Sequence, residues 1–243
     1  MRKKTILQIS GLLLGICGLL IASSGKVSAA SCTEKRTTVK KEIAASGEYA
    51  NWEGVSNVSQ FLGADGELYF AYDNGKTIGI IKTKNGKPQK KKLFLQKKAP
   101  IFGNVTCDKD GNYYVVTGKQ NETDDADRDT VFISKYDKTG KLLATVGDNG
   151  SSSLAYYYDR SFHTKIPFNG GTCDMAINGD YLAVNYARHM YSGHQSNSVF
   201  FVHIKTMEKI QPIEEYYNSH SFAQRVVPFE NGFPCSYLCA ISY

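Results

Sequence analysis

The side chains best suited to chemistry cluster in two short polar stretches. Residues 190–197 read Met-Tyr-Ser-Gly-His-Gln-Ser-Asn, and residues 219–225 read Ser-His-Ser-Phe-Ala-Gln-Arg. His194, Gln195 and Asn197 in the first, with His220, Gln224 and Arg225 in the second, offer imidazole, amide and guanidinium groups. An imidazole titrates near neutral pH and can serve as acid or base. With amides and a guanidinium beside it, it can equally hold a carbonyl or an anion. Ser196 and Ser221 lack the strand–turn–helix setting of a nucleophile elbow. No carboxylate pair for glycoside hydrolysis is evident, so no catalytic residue is assigned. The competing identity of both stretches is structural: polar corners that satisfy backbone groups in front of a strand.

Three further patches have two readings each. In Asn-Glu-Thr-Asp-Asp-Ala-Asp-Arg-Asp (121–129), Asp125, Asp127 and Asp129 alternate as in the start of a calcium loop. Thr130 and Tyr136 stand where such a loop needs glycine and a bidentate glutamate, so a solvated hairpin tip is the simpler reading. Tyr157, Tyr158, Asp159 and Arg160, within Ala-Tyr-Tyr-Tyr-Asp-Arg-Ser-Phe-His, could stack on sugar rings and read their hydroxyls, or pack a long loop on its own aromatics. The lysine run at 82–98 could attract an anionic polymer, or simply blunt an exposed strand edge. No cofactor motif is found, and Ca²⁺ is the one ion any pattern suggests.

The elements that must position these groups begin with a leader. Met1-Arg2-Lys3-Lys4, an apolar stretch from Ile6 to Ala22, and the small residues Val27-Ser28-Ala29-Ala30 form the pattern of a secretory signal peptide. The apolar stretch is short for a membrane span and is broken by Gln8, Ser10 and glycines, so no stable transmembrane anchor is expected. The chain carries 29 basic and 23 acidic residues, but removal of 1–30 takes away four basic residues and leaves +2. Nucleic-acid binding thereby loses its electrostatic support. Beyond the leader, Cys32, Cys107, Cys173, Cys235 and Cys239 are odd in number and lack zinc spacing. Cys107 and Cys173 are read as packing residues.

Outside the leader, helical periodicity gives way to β-branched and aromatic runs. Asp65-Gly66, Asp110-Gly111, Asn178-Gly179 and Asn231-Gly232 each precede such a run, at spacings of 45, 68 and 53 residues. Asp-Gly and Asn-Gly supply the positive φ angles of tight hairpins. Each is followed by a second strand and turn, as in Ile78–Gly86, Val131–Gly140 and Val199–Met207. The sequence therefore predicts an all-β fold of antiparallel four-stranded units, arranged as a partial or small β-propeller. Three divisions follow: a signal peptide at 1–30, a polar segment at 31–50, and the β-propeller domain at 51–243.

The phrases DKDGNYYVV and FISKYDKTGKLL resemble blades of NHL-type bacterial propellers. The stretch from Gly170 to Val202, with SHSFAQRVVPFENGF after it, resembles uncharacterised secreted or surface-bound propellers of Gram-positive bacteria. The resemblance spans most of residues 50–234 and implies a fold but no activity. About three and a half units precede Pro234, fewer than the four to eight blades of a closed propeller, so the domain is expected to be incomplete, as in a truncated product. The expected function is a secreted or cell-surface binding and scaffold module for a glycan or protein. The alternative is an extracytoplasmic hydrolase, lyase or transferase acting on wall or host polymers through His194, His220 and Arg225. An inactive truncated product is the third.

Overall fold

A computed structural model describes Ile43 and residues 57–125, 127–149, 163–169, 173–210, 221–228 and 235–239. Residues 1–30, expected to be a signal peptide, the 31–50 segment apart from Ile43, Tyr157 to Arg160, His220 and the expected Asn231-Gly232 turn lie outside these residues. The described chain is all-β, with no helix, and none of it is a helix long and apolar enough to cross a membrane.

Four antiparallel sheets follow one another along the chain. The first is a meander of β1 (Val58–Leu62), β2 (Leu68–Asp73), β3 (Thr77–Lys84) and β4 (Lys87–Gln96). The second repeats that order in β5 (Ile101–Cys107), β6 (Tyr113–Gly118), β7 (Val131–Tyr136) and β8 (Leu142–Asp148). The third contains β10 (Cys173–Asn178), β11 (Tyr181–Met190), β12 (Gln195–His203) and β13 (Glu208–Ile210), and β9 (Thr164–Pro167) pairs with the far end of β11. The fourth pairs β14 (Ser221–Val226) with β15 (Cys235–Cys239).

The turns explain why these segments fold back. Gly63–Glu67, Asp108–Asn112, Asp137–Lys141 and Met190–His194 close with the same pair of backbone hydrogen bonds. The fourth N–H donates to the first carbonyl (2.9, 3.1, 2.9 and 3.0 Å), and the first N–H donates to the fifth (2.8, 3.0, 2.9 and 2.9 Å). The fourth residue is always glycine, at φ of 74, 82, 89 and 88°. That is a type I turn followed by a left-handed residue, which glycine adopts without a Cβ clash. Asn178-Gly179 differs from Asp65-Gly66 and Asp110-Gly111: Asn178 pairs directly with Tyr181, leaving the two-residue loop Gly179-Asp180. The polar stretch 190–197 thus comprises the five-residue turn Met190–His194 and the first three residues of β12, so the strands run further into it than the sequence suggests.

Two of these turns begin with aspartate, and the side chain locks the loop. One Asp108 oxygen accepts from the N–H of Asp110 and of Asn112 (2.9 Å each), and the other from the Asn112 amide (2.8 Å) and Tyr114 hydroxyl (2.9 Å). Burial lifts the Asp108 carboxyl, but the bonds from Asn112, Tyr114 and Asp110 outweigh it and hold the group below its ordinary 3.8. Asp137 is likewise lowered by hydrogen bonds from Thr139 and Lys141. Carboxyls whose folded pKa lies below the unfolded value contribute stability that is complete above the unfolded pKa and lost as pH falls through the folded one. The melting temperature is therefore expected to hold from pH 7 to about 5 and to drop below about pH 4. In Asp108→Asn it should be lower at pH 7 by the equivalent of about 1–3 kcal/mol, with a shallower acid limb, when followed by circular dichroism across pH.

The sheets pack face to face in chain order. Along β6 the side chains alternate between two interfaces: Tyr113 and Val115 join Phe61, Ala71, Ile78, Ile80 and Leu95 of the first sheet. Tyr114 and Val116 join Leu182, Val184, Tyr186, Phe200 and Val202 of the third. The third sheet turns Ala176, Ala183 and Phe201 toward Val226 of the fourth. A central sheet covered on both faces reads as a near-continuous buried run, and Tyr114 to Thr117 are all at most 1 % exposed. The first strands β1, β5, β10 and β14 lie beside one another in succession. Among the described residues no ladder joins the fourth sheet back to β1.

Candidate functional site

The register of the third sheet sorts its side chains between the two neighbouring interfaces. Leu182, Val184, Tyr186 and Arg188 of β11 face the second sheet, and the alternate residues Ala183, Asn185, Ala187 and His189 face the fourth. Across the ladder, Asn185 stands opposite Val199, Ala187 opposite Asn197, and His189 opposite Gln195. Asp174 of β10 stands opposite Asn185. From the fourth sheet, Gln224 and Val226 are buried while Arg225 is exposed. The Val226 N–H donates to Asp174 at 2.9 Å and ties β14 to β10.

A polar stripe results, carried by small neighbours such as Ala183 and Ala187. Asn185, Asn197 and Gln224 are completely buried at its inner end. His189 and Gln195 are half-buried at its outer end, where the turn exposes His194. Neither the nitrogen nor the oxygen of the Asn185 amide has a hydrogen-bond partner among the described residues. A buried amide left unsatisfied costs about 1–3 kcal/mol per group, so such a site calls for a water or a ligand group. Burial, with the nearby Lys165 charge, pushes the His189 pKa below its ordinary value and keeps the imidazole uncharged at neutral pH. Apart from Asp174, already engaged by Val226, the stripe consists of neutral donors and acceptors.

Of the residues singled out in the sequence, Gln195, Asn197 and Gln224 line the two facing sides of this seam. His194 sits exposed at the turn, its carbonyl accepting from Met190 N–H. Arg225 points away from Gln224 on the strand and donates to the Gln224 carbonyl at 2.9 Å. Asn185, Asp174 and His189 were not singled out, because an amide or acid within an apolar strand carries no signal until register fixes its face.

The acidic loop docks on the same turn. Tyr191 donates its hydroxyl hydrogen to the Asn121 carbonyl and accepts from Asp124 N–H at 2.8 Å. His163, 2 % exposed, places Nε2 2.6 Å from the Asp124 carboxylate and its ring 4.8 Å from that of Tyr191. Asp125 accepts from Asp127 N–H at 3.0 Å and lies 3.8 Å from Arg128, and Asp129 lies against Gly147. Asp125, Asp127 and Asp129 are exposed and do not converge. Among the described residues no three His, Cys, Asp or Glu side chains are grouped to hold a metal ion.

Cys107 and Cys173 are free thiols packed at successive sheet interfaces. Burial pushes Cys107 up to about 11 and Cys173 well above the usual thiol range, the opposite of a reactive cysteine. On the other face of β11, Arg188 is fully buried, donating Nε to Ser196 at 2.9 Å and Nη1 to Thr164 at 3.3 Å. No protein-family model matches this chain, and no curated protein matches it either.

Proposed function

We propose that the chain is a secreted or cell-surface binding module of propeller-like blades whose ligand is a neutral glycan, held at the seam between the third and fourth sheets. Successive four-stranded meanders, stacked face to face with their first strands side by side, support the propeller-like reading. The observation that carries the ligand is the polar stripe ending in the Asn185 amide, which has no hydrogen-bond partner among the described residues. Binding sites combine apolar walls with a few placed polar groups. Amides and an uncharged imidazole complement sugar hydroxyls, which both donate and accept, better than they complement a charged group. A protein loop presenting backbone amides is the other ligand with that chemistry.

The test is a glycan array probed with the chain and with Gln195→Ala and Asn197→Ala. The chain should bind a neutral oligosaccharide, and each variant should bind it at least about tenfold more weakly, the equivalent of one lost hydrogen bond of about 1.4 kcal/mol. A blank array, or variants that bind as the parent does, defeats the glycan reading. Gln195 is half-buried, so its replacement leaves the fold in place.

An enzymatic reading rests on a different group, the buried His163 imidazole set 2.6 Å from the Asp124 carboxylate beside Tyr191. It requires release of product from a polysaccharide and its loss in His163→Gln.

A further inference from the structure

The lysine run divides into two populations once its partners are known. Lys82 pairs with Asp65 and lies over the Tyr69 ring. Lys97 is buried in an ion pair with Asp73 at 2.8 Å and also donates to the Pro100 carbonyl. Lys92 and Lys98 lie over the rings of Tyr72 and Phe132. Lys84, Lys87, Lys90 and Lys91 are different: all four are exposed, and none has an acidic partner among the described residues.

These four belong to one hairpin. β3 ends at Lys84, the loop is Asn85-Gly86 at φ of 53 and 70°, and β4 begins at Lys87, directly opposite Lys84. Two positive φ angles mark the tight turn that Asn-Gly favours. Like charges directly across a ladder destabilise it, so the tip holds unneutralised charge against its own stability. Among the described residues β4 pairs only with β3, and its other edge carries no ladder. One or two lysines blunt such an edge. A repulsive pair at the tip, beyond the edge, serves no such purpose.

We propose that the β3–β4 hairpin is a docking site for a linear polyanion, held by Lys84, Lys87, Lys90 and Lys91. Lys87 to Lys91 spans about 13 Å at strand rise, so the partner presents several anionic groups within that length. The site contains lysine and no arginine. It therefore reads charge density rather than the planar geometry that arginine matches bidentately. It belongs to the first sheet, and its chemistry is opposite to that of the uncharged stripe on the third.

Fluorescence anisotropy with labelled inorganic polyphosphate and, separately, poly-L-glutamate tests the proposal, the two arms distinguishing phosphate from carboxylate. Neutralising four charges on a flexible polyanion releases about 0.7 counterion per lysine. Affinity for at least one polymer should therefore fall about fiftyfold between 50 and 200 mM NaCl. Changing all four lysines to glutamine should abolish binding at 50 mM NaCl with the melting temperature kept or raised, and changing all four to arginine should retain binding. Failure of both polymers to bind at 50 mM, or a glutamine variant that binds as the parent does, overturns the proposal. A blank neutral-glycan array together with polyanion binding would defeat the seam reading and leave this one standing.

Discussion

Phe200→Ala is expected to destabilise the chain by about 3–5 kcal/mol. Phe200 is 2 % exposed on β12, opposite Val184, and packs in the cluster that joins Val116, Val131 and Ile133 of the second sheet to Leu182, Tyr186 and Val202 of the third. Truncation removes the ring from an interface with strands on both sides, so the cavity cannot close without shifting a whole sheet. Urea unfolding should show a lower midpoint with an unchanged slope, because the surface exposed on unfolding is nearly the same. Phe94→Ala is the control. Phe94 is 48 % exposed on β4, and its loss should change stability by no more than about 0.5 kcal/mol. Equal effects at the two positions would contradict the stacking of the second sheet on the third.

The second large effect is expected at Arg188. Its guanidinium cannot deprotonate, and it lies completely buried between the same two sheets, bonded to Ser196 and Thr164. Arg188→Ala leaves those two hydroxyls without their donor and opens a cavity. A loss of about 3–5 kcal/mol is expected, typical of breaking a buried polar network from one side. Arg188→Lys should not restore stability, since one ammonium cannot reproduce a donor fork aimed at two strands. Thermal unfolding of the two variants checks this, and full rescue by lysine would show that charge alone matters.

Much of the architecture was legible because it is written in local chemistry. The glycine fourth in Gly-Ala-Asp-Gly-Glu, Asp-Lys-Asp-Gly-Asn and Asp-Lys-Thr-Gly-Lys marks turns that recur at φ near 80°, and the runs after them are β-branched or aromatic. The same logic identifies Met-Tyr-Ser-Gly-His as a turn of that kind, although its first residue is not an acid. Sites were less legible, because they depend on which strands face each other. Asn197 and Gln224 stand 27 positions apart and come to opposite sides of one seam. Asn185 sits among Ala183, Val184, Tyr186 and Ala187 and looks like part of an apolar run. The acidic residues at 125–129 suggest an ion by spacing alone, but their loop is fastened through Asp124 and Asn121 to Tyr191 and His163 instead.

The seam is tested most directly by hydrogen–deuterium exchange of the chain with and without the strongest neutral oligosaccharide from the array. Slower exchange at residues 185–197 and 221–226, with the 84–91 hairpin unchanged, is the expected result. Ligand protection at the hairpin, or none along β11, β12 and β14, would contradict it.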